Sequence, residues 1–274
     1  MMTDNTMKHR WTRKRIEFNG FAFSYLEGGV ESQDIPILFL HGWSVSTEAY
    51  RESLTALAQN HWIIAPDLPG FGLSWCDRAL LTYQTHAHCI LQLIERLNLE
   101  RFELIGHSFG GGIALALAAA IPHQVDRLII IDSTGIPLSS LFRVITGRLS
   151  ELPQQIIQLR WKTVGKILRA FGHNTIFHGR HLVEGAQIAL NQDIRPWLKD
   201  IRSPCLVLWG ECDRFTPPEI GRALMKEIPH SKLQIVPGGY HEWCMMQPET
   251  LTAIVTEFFS SVEFQIDRSL NIEH

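Results

Sequence analysis

The amino-acid sequence predicts an α/β protein: a mostly parallel β-sheet with helices on both faces and an inserted helical cap. Two observations support this prediction. Short, continuous apolar runs, typical of strands buried on both faces, alternate with longer segments of helical periodicity. The alternation stops between about residues 135 and 200, where no strand-like run occurs. Alternating strands and helices imply a parallel sheet covered on both faces, and the interruption implies a helical insertion.

In chain order, a β-hairpin is expected first, around Asn19-Gly20, because this pair favours a tight hairpin turn. Apolar runs then predict buried strands at residues 35–40, 62–65, 101–105, 127–131, 205–209 and 233–236. Periodic apolar positions predict helices at residues 47–59, 83–97, 113–121, 219–227 and 248–260. Each predicted strand is therefore followed by a helix, except the one at 127–131, which is followed by the insertion.

The insertion, residues 136–199, is predicted to be a helical cap, with residues 1–135 and 200–274 forming the core domain. Two sets of apolar residues each share one helical face: Leu149, Leu152, Ile156 and Leu159, and then Val164, Ile167, Leu168 and Phe171. Gly172 is placed to end the second helix. A structureless connection of this length is uncommon in a compact domain, so a lid over a site at the strand ends is favoured over a long loop.

Composition narrows the class of protein. The chain has 274 residues, of which 45% are hydrophobic and 19% charged, and its formal net charge is −3. This is enough apolar sequence for one large core, and the charge does not indicate a nucleic-acid partner. The longest apolar run, residues 113–121, is too short to span a bilayer, and the first ten residues lack the apolar stretch of a secretory signal. Five widely spaced cysteines predict reduced thiols in a cytoplasmic protein. The oligomeric state is left open.

Ser108 is the predicted nucleophile. It lies at the centre of Gly106-His-Ser-Phe-Gly-Gly111, between a strand-like run and an alanine-rich helical run. Strand, tight turn and helix is the context in which Gly-x-Ser-x-Gly indicates a nucleophile elbow, a strained turn that lifts the serine hydroxyl clear of the sheet. His107 is expected to point away from that hydroxyl. The alternative is an ordinary glycine-rich turn.

A serine hydroxyl needs a base to take its proton. Ligands of open α/β sheets bind outside the carboxyl ends of the strands. His241 follows the run at 233–236 and is the predicted base, whereas His230 precedes that run. Asp213 and Asp132 each follow a strand. Asp213 is favoured as the orienting carboxylate, since Asp132 could simply close a turn.

Backbone N–H groups of Trp43 and Phe109 are the predicted oxyanion donors. Trp43 follows the run at 35–40, and Phe109 opens a helix whose N-terminus favours negative charge. Aromatic residues near these loops and in the insertion suggest an apolar acyl or alcohol pocket, although each could equally pack the core. The predicted substrate-binding residues are His41, Gly42, Trp43, Trp161 and Trp243. No metal and no cofactor is expected, because no cluster with metal-ligand spacing occurs.

These motifs together resemble the α/β-hydrolase fold family, in the branch with a helical cap. The matching segments are His41-Gly42-Trp43, Asp67-Leu-Pro-Gly-Phe-Gly-Leu-Ser74, Gly106-His-Ser-Phe-Gly-Gly111, Gly210-Glu-Cys-Asp213 and Gly238-Gly-Tyr-His241. The resemblance implies an eight-stranded, mostly parallel sheet with the cap over the triad, and the chain order Ser108, Asp213, His241 is that of the family. The second segment is interpreted as a structural loop near the site.

The expected function is therefore hydrolysis of a carboxylic ester of a small or medium apolar substrate, through an acyl-enzyme at Ser108. A serine nucleophile argues against the dehalogenases and epoxide hydrolases of this fold, which use aspartate. A C–C bond hydrolase or lyase of the same fold is the first alternative, and it would need an arginine in the cap. Candidates for that role are Arg143, Arg148, Arg160, Arg169, Arg180 and Arg195. A low-turnover ligand-binding receptor is the second alternative.

Overall fold

A computed structural model describes residues 11–30, 35–138, 146 and 160–261. Its strands are β1 (Thr12–Phe18), β2 (Phe21–Gly29), β3 (Ile37–Leu40), β4 (Trp62–Pro66), β5 (Trp75–Cys76), β6 (Phe102–His107), β7 (Val125–Ile131), β8 (Cys205–Gly210) and β9 (Ser231–Val236). Its α-helices are α1 (Arg51–Leu57), α2 (Tyr83–Arg96), α3 (Phe109–Ala120), α4 (Trp161–Phe177), α5 (Gly179–Asn191), α6 (Arg195–Leu198), α7 (Pro218–Glu227), α8 (Trp243–Met246) and α9 (Pro248–Ser260). A short 3₁₀-helix, Thr47–Tyr50, leads into α1.

One twisted sheet organises the described residues. Its main path runs β1-β2-β4-β3-β6-β7-β8-β9, and the two-residue β5 pairs with β2 outside this path. The strands from β4 to β9 along the path pair in parallel, whereas β1, β2 and β5 pair antiparallel at one edge. The prediction of a mostly parallel sheet is confirmed. Its eight strands are those of the main path, and β5 is too short to leave a pattern in the sequence.

The central strands are apolar throughout because both of their faces are buried. In β3, Leu38 and Leu40 pack into a cluster that also contains residues of α2, α3 and α7. Ile37 and Phe39, which alternate with them, pack into a second cluster with residues of α1, α8 and α9. Neighbouring side chains of a strand point to opposite faces of the sheet, so each continuous apolar run supplies both cores.

The hairpin predicted at Asn19-Gly20 is confirmed, since Phe18 pairs with Phe21 and both turn residues have positive φ, 49° and 83°. Both central residues of a type I′ turn need this conformation. The helix predicted at 113–121 begins earlier, at Phe109. None of the described helices has the length and apolar content to span a membrane.

Helices α4, α5 and α6 lie between β7 and β8 in the chain, and we call them the helical insertion. The predicted end of a helix at Gly172 is wrong, because α4 continues to Phe177. A glycine inside a helix costs only about 1 kcal/mol relative to alanine, so a single glycine does not by itself end a helix. Helix α5 was not predicted. The helical face predicted at residues 149–159 lies outside the described residues, as do Arg143 and Arg148.

Candidate active site

Ser108 lies in a sharp turn between β6 and α3. Its backbone has φ 53° and ψ −118°, a region that non-glycine residues rarely adopt. The turn needs glycine on both sides. A Cβ atom on Gly110 would lie 2.4 Å from the carbonyl oxygens of Leu40 and His41, and one on Gly106 would lie 2.4 Å from the carbonyl oxygen of Gly110. The strand and the helix can therefore approach closely enough to present the hydroxyl at the carboxyl edge of the sheet.

The structure brings Ser108, His241 and Asp213 into one hydrogen-bonded chain, although 133 residues separate the serine from the histidine. Ser108 Oγ lies 3.0 Å from His241 Nε2, and His241 Nδ1 lies 2.8 Å from Asp213 Oδ2. All three side chains are buried. A carboxylate opposite Nδ1 fixes the tautomer of the neutral ring, because the proton must be on Nδ1. Nε2 is then left to accept the proton of the serine hydroxyl.

Asp213 is held in place by its own loop. Its Oδ1 accepts hydrogen bonds from the backbone N–H groups of Phe215 and Thr216, at 2.8 and 2.9 Å. Its Oδ2 accepts from the hydroxyl of Thr216 at 2.7 Å, in addition to the bond with His241. The ring of Phe215 packs against the imidazole, with 4.7 Å between the ring centroids. These contacts fix both the carboxylate and the plane of the histidine.

Asp132, the competing carboxylate, has a different environment. It is fully buried at the end of β7, and its Oδ1 accepts a hydrogen bond from the backbone N–H of Gly210 at 2.7 Å. Burial raises the pKa of Asp132 well above its ordinary range, and the nearby charge of Asp213 raises it further. The geometry places Asp213, and not Asp132, against the Nδ1 atom of His241.

The loop that follows β3 passes directly against the serine. A Cβ atom on Gly42 would lie 3.4 Å from the Cβ of Ser108. Within the described part of the chain, no hydrogen bond takes up the backbone N–H of Trp43 or of Phe109. Two unused donors therefore flank the serine, one on the loop and one at the start of α3. This arrangement agrees with the predicted oxyanion donors, whose role stays a prediction.

A second buried chain of hydrogen bonds, which the sequence analysis missed, runs behind the serine. His107 Nε2 lies 2.9 Å from the carbonyl oxygen of His241, so the ring donates from Nε2. In the neutral ring, Nδ1 then accepts from the Tyr50 hydroxyl at 2.6 Å, and the Tyr50 oxygen accepts from the N–H of Gly42 at 3.0 Å. His107 does point away from the serine hydroxyl, and it links the Gly42 loop to the His241 loop.

The predicted substrate-binding residues fall into different environments. The ring of His41 is fully buried: Nδ1 donates to the carbonyl oxygen of Gly42, and Nε2 accepts from the N–H of Leu68, both at 2.8 Å. Trp243 is also buried, whereas Trp161 is 71% exposed at the start of α4. His41 and Trp243 thus support the loops around the site, and direct contact of either side chain with a substrate would require these loops to move.

The segment Asp67-Leu-Pro-Gly-Phe-Gly-Leu-Ser74 forms a loop beside the site. The buried Asp67 carboxylate accepts hydrogen bonds from the backbone N–H and hydroxyl of Thr47 and from the N–H of Leu73. It also pairs with Arg13 at 3.2 Å. These partners are structural, which agrees with the interpretation of this segment as a supporting loop.

The parallel sheet, the glycine-bounded turn and the helices around them define the α/β-hydrolase fold. The model of the alpha/beta hydrolase family matches residues 37–254, and the chain belongs to this family. The chain is 27% identical over 246 residues to the uncharacterised hydrolase YugF of Bacillus subtilis, covering 81% of this chain and 89% of the relative. It is 26% identical over 268 residues to 2-hydroxy-6-oxo-2,4-heptadienoate hydrolase of Pseudomonas putida, covering 86% and 95%. A thermophilic esterase from Thermogutta terrifontis has a similar fold, with a TM-score of 0.73 at 23% identity over 90% of this chain and 98% of that one.

Proposed function

We propose that this hydrolase cleaves a carboxylic ester of a small or medium apolar substrate through an acyl-enzyme at Ser108. The observation that supports the proposal most is the continuous chain of hydrogen bonds from Asp213 through His241 to a serine held on a strained turn. Membership of the hydrolase family supports the same class of reaction.

In the proposed mechanism, Ser108 Oγ attacks the ester carbonyl carbon while His241 Nε2 takes the hydroxyl proton. The N–H groups of Trp43 and Phe109 stabilise the negative charge that develops on the carbonyl oxygen. His241 then gives the proton to the leaving alcohol, and the C–O bond breaks to give the acyl-enzyme. A water molecule repeats the sequence and releases the acid. Asp213 keeps the proton on Nδ1 and stabilises the imidazolium that forms twice in each cycle.

The helical insertion is proposed to serve as the cap predicted at residues 136–199. It contacts both loops that flank the serine, through Asn174 on α4 and the carbonyl oxygen of Leu182 on α5. A cytoplasmic location is proposed as well. It is supported by the five cysteines, all within the described residues, none of which forms a disulfide.

A C–C bond hydrolase is the second candidate, because one relative is named for the hydrolysis of a 2-hydroxy-6-oxo dienoate. Such a substrate carries a carboxylate, which an arginine would bind. Of the candidate arginines within the described residues, three already form ion pairs: Arg160 with Glu52, Arg180 with Glu184, and Arg195 with Asp193. Arg169 is exposed to solvent. Among the arginines that the structure describes, this distribution favours an uncharged ester over an acidic dienone.

Fluorophosphonate labelling tests the class of enzyme. The wild-type protein is expected to be labelled at Ser108, and the Ser108→Ala variant is expected to lose the label and to hydrolyse esters about 10³-fold more slowly or worse. Ser231→Ala, a substitution at the opposite edge of the sheet, is the matched control and is expected to label normally. A wild-type protein that is neither labelled nor inhibited would exclude a serine hydrolase and favour the receptor alternative.

A substrate panel then separates the two reactions. Nitrophenyl esters of increasing acyl length and a 2-hydroxy-6-oxo dienoate are compared at equal enzyme concentration. We expect a higher kcat/KM with one of the esters. A dienoate kcat/KM that exceeds that of every ester by tenfold or more would replace the ester proposal with C–C bond hydrolysis.

A further inference from the structure

Asn174 is a buried polar side chain on a helix that is otherwise largely exposed. Of the residues of α4, only Thr163, Ala170 and Asn174 are buried, and Asn174 is fully so. The neighbouring Ile176 is 74% exposed. A buried amide is expensive unless all its polar groups are bonded. What Asn174 bonds to therefore shows why an asparagine occupies this position.

All three hydrogen bonds of the Asn174 amide reach backbone atoms of two loops around the serine. Nδ2 donates to the carbonyl oxygens of Ser44 and Val45, at 2.9 and 3.0 Å. Oδ1 accepts from the backbone N–H of Gly72 at 2.8 Å. Since carbonyls can only accept and an N–H can only donate, the orientation of the amide is unambiguous. One side chain of the insertion is thus hydrogen-bonded to the loop that carries Trp43.

A second contact fastens the same loop to α5. The indole Nε1 of Trp43 donates to the carbonyl oxygen of Leu182 at 2.9 Å. The ring also lies so close to α5 that a Cβ atom on Gly185 would be 2.8 Å from its Cδ1. The insertion therefore holds the Trp43 side chain and the carbonyl oxygens of the two residues that follow it. The peptide that carries the Trp43 N–H is bonded on its other side, through the Gly42 carbonyl oxygen, to His41 Nδ1.

The loop needs such support because its own conformation is strained. Ser44 has φ 62°, in the left-handed region that serine seldom adopts, and such a residue costs on the order of 1 kcal/mol or more. The contacts from the insertion fix the peptides on the C-terminal side of Trp43, so their loss is expected to let the peptide that carries the Trp43 N–H tilt about its remaining hydrogen bond to His41.

From these contacts we infer that Asn174 is a positioning residue for the oxyanion site: through Ser44 and Val45 it aims the N–H of Trp43 at the developing charge. The inference rests on the proposed function. It also gives the insertion a second role: besides covering the site, it helps to orient one of the two oxyanion donors. The second donor, Phe109, belongs to the elbow and does not depend on Asn174.

Asn174→Ala tests the inference. The insertion keeps its other contacts in this variant, including the ion pair of Arg160 with Glu52 and the bond from Tyr83 N–H to Gln192 Oε1. Loss of a complete oxyanion donor typically costs about 10²–10³ in rate, so a misdirected donor is expected to lower kcat by about 10–100-fold and to leave KM within about threefold. Active sites are counted by phosphonate titration, so that unfolded protein does not contribute.

The affinity for a trifluoromethyl ketone distinguishes a role in orienting the oxyanion donor from a purely structural role, because the ketone forms an oxyanion at Ser108. Ser108 Oγ adds to its carbonyl carbon, the hydroxyl proton passes to His241, and the hemiketal oxygen becomes an oxyanion. Its affinity is expected to fall in parallel with kcat, whereas the affinity for the product acid stays unchanged. Gln192→Ala, which removes another amide contact of the insertion away from this loop, is the matched control and is expected to retain both kcat and ketone affinity.

A folded Asn174→Ala variant with wild-type kcat or wild-type ketone affinity would overturn the inference, as would an equal loss in Gln192→Ala. If Asn174→Ala does not fold, Trp43→Phe, which removes the bond to Leu182 and reduces the contact of the ring with α5, decides. A smaller parallel loss of kcat and ketone affinity would support the inference, and unchanged values would end it. A wild-type protein that is not labelled at Ser108 would instead reject the proposed function itself.

Discussion

Asp213→Asn is expected to reverse the tautomer of His241. The backbone N–H groups of Phe215 and Thr216 both point at Oδ1, so the oxygen of the asparagine amide must stay there. The amide nitrogen then takes the place of Oδ2, opposite His241 Nδ1. An N–H donor at this position forces Nδ1 to accept, which moves the ring proton to Nε2 and leaves no acceptor for the hydroxyl of Ser108.

The size of the effect follows from this geometry. The same substitution in a Ser-His-Asp protease lowers kcat by about 10⁴ because the tautomer is wrong. Since the hydrogen bonds around Asp213 fix the amide in the same sense, we expect a loss of about 10³–10⁴ here, equivalent to about 4–5.5 kcal/mol in the activation free energy. Asp132→Asn is the matched control. It keeps an oxygen acceptor for the N–H of Gly210 and does not touch the carboxylate opposite His241 Nδ1, so we expect less than a tenfold loss.

Steady-state kinetics with a reactive nitrophenyl ester measure both variants, and circular dichroism verifies that each is folded. The reasoning would be refuted by the opposite ranking, in which Asp132→Asn loses more activity than Asp213→Asn. Equal, small losses in both variants would also refute it, because they would mean that neither carboxylate sets the proton position on His241.

Two further predictions concern groups away from the reacting atoms. Tyr50→Phe removes the hydroxyl between Gly42 and His107 while keeping the ring, so we expect a loss of about 1–2 kcal/mol in unfolding free energy and a several-fold lower kcat; unchanged unfolding in urea would contradict the bonding of this hydroxyl. Burial raises the pKa of Glu103 to about 8, well above the ordinary value of about 4.5 for a glutamic acid. The folded state therefore binds an extra proton between these values, and its stability falls as the pH rises through this window. Glu103→Gln should remove that loss, so the stability of the wild type relative to the variant should drop by about 4 kcal/mol between pH 5 and pH 9. A pH-independent difference in urea unfolding would contradict the raised pKa of this partly buried carboxyl.

The sequence predicts the sheet well because burial on both faces leaves a simple signal. Residues 37–40 alternate between two cores and so read as one apolar run. The three residues Ser108, Asp213 and His241 could be selected because each follows a strand, and parallel strands bring their carboxyl ends to one edge. The structure places them within hydrogen-bond distance of one another.

The supporting residues could not be predicted in this way. Tyr50 and Asn174 are single polar residues inside helical segments, and nothing in the local pattern distinguishes a buried amide or hydroxyl from an exposed one. Their partners lie 57 and 130 residues away in the chain, respectively. The length of α4 was also missed: Gly172 was read as a helix-ending signal, although the helix continues to Phe177 and its next turn carries the buried Asn174.

The close packing of Gly185 against the indole of Trp43 restricts how this enzyme can be re-engineered. Exchanging insertions between relatives is an obvious route to chimeras with new selectivity. A donor segment with any side chain at this place would collide with the tryptophan and push helix and loop apart. Chimeras in which the insertion is exchanged should therefore keep a glycine at this position, or carry a smaller residue in place of Trp43, to retain activity.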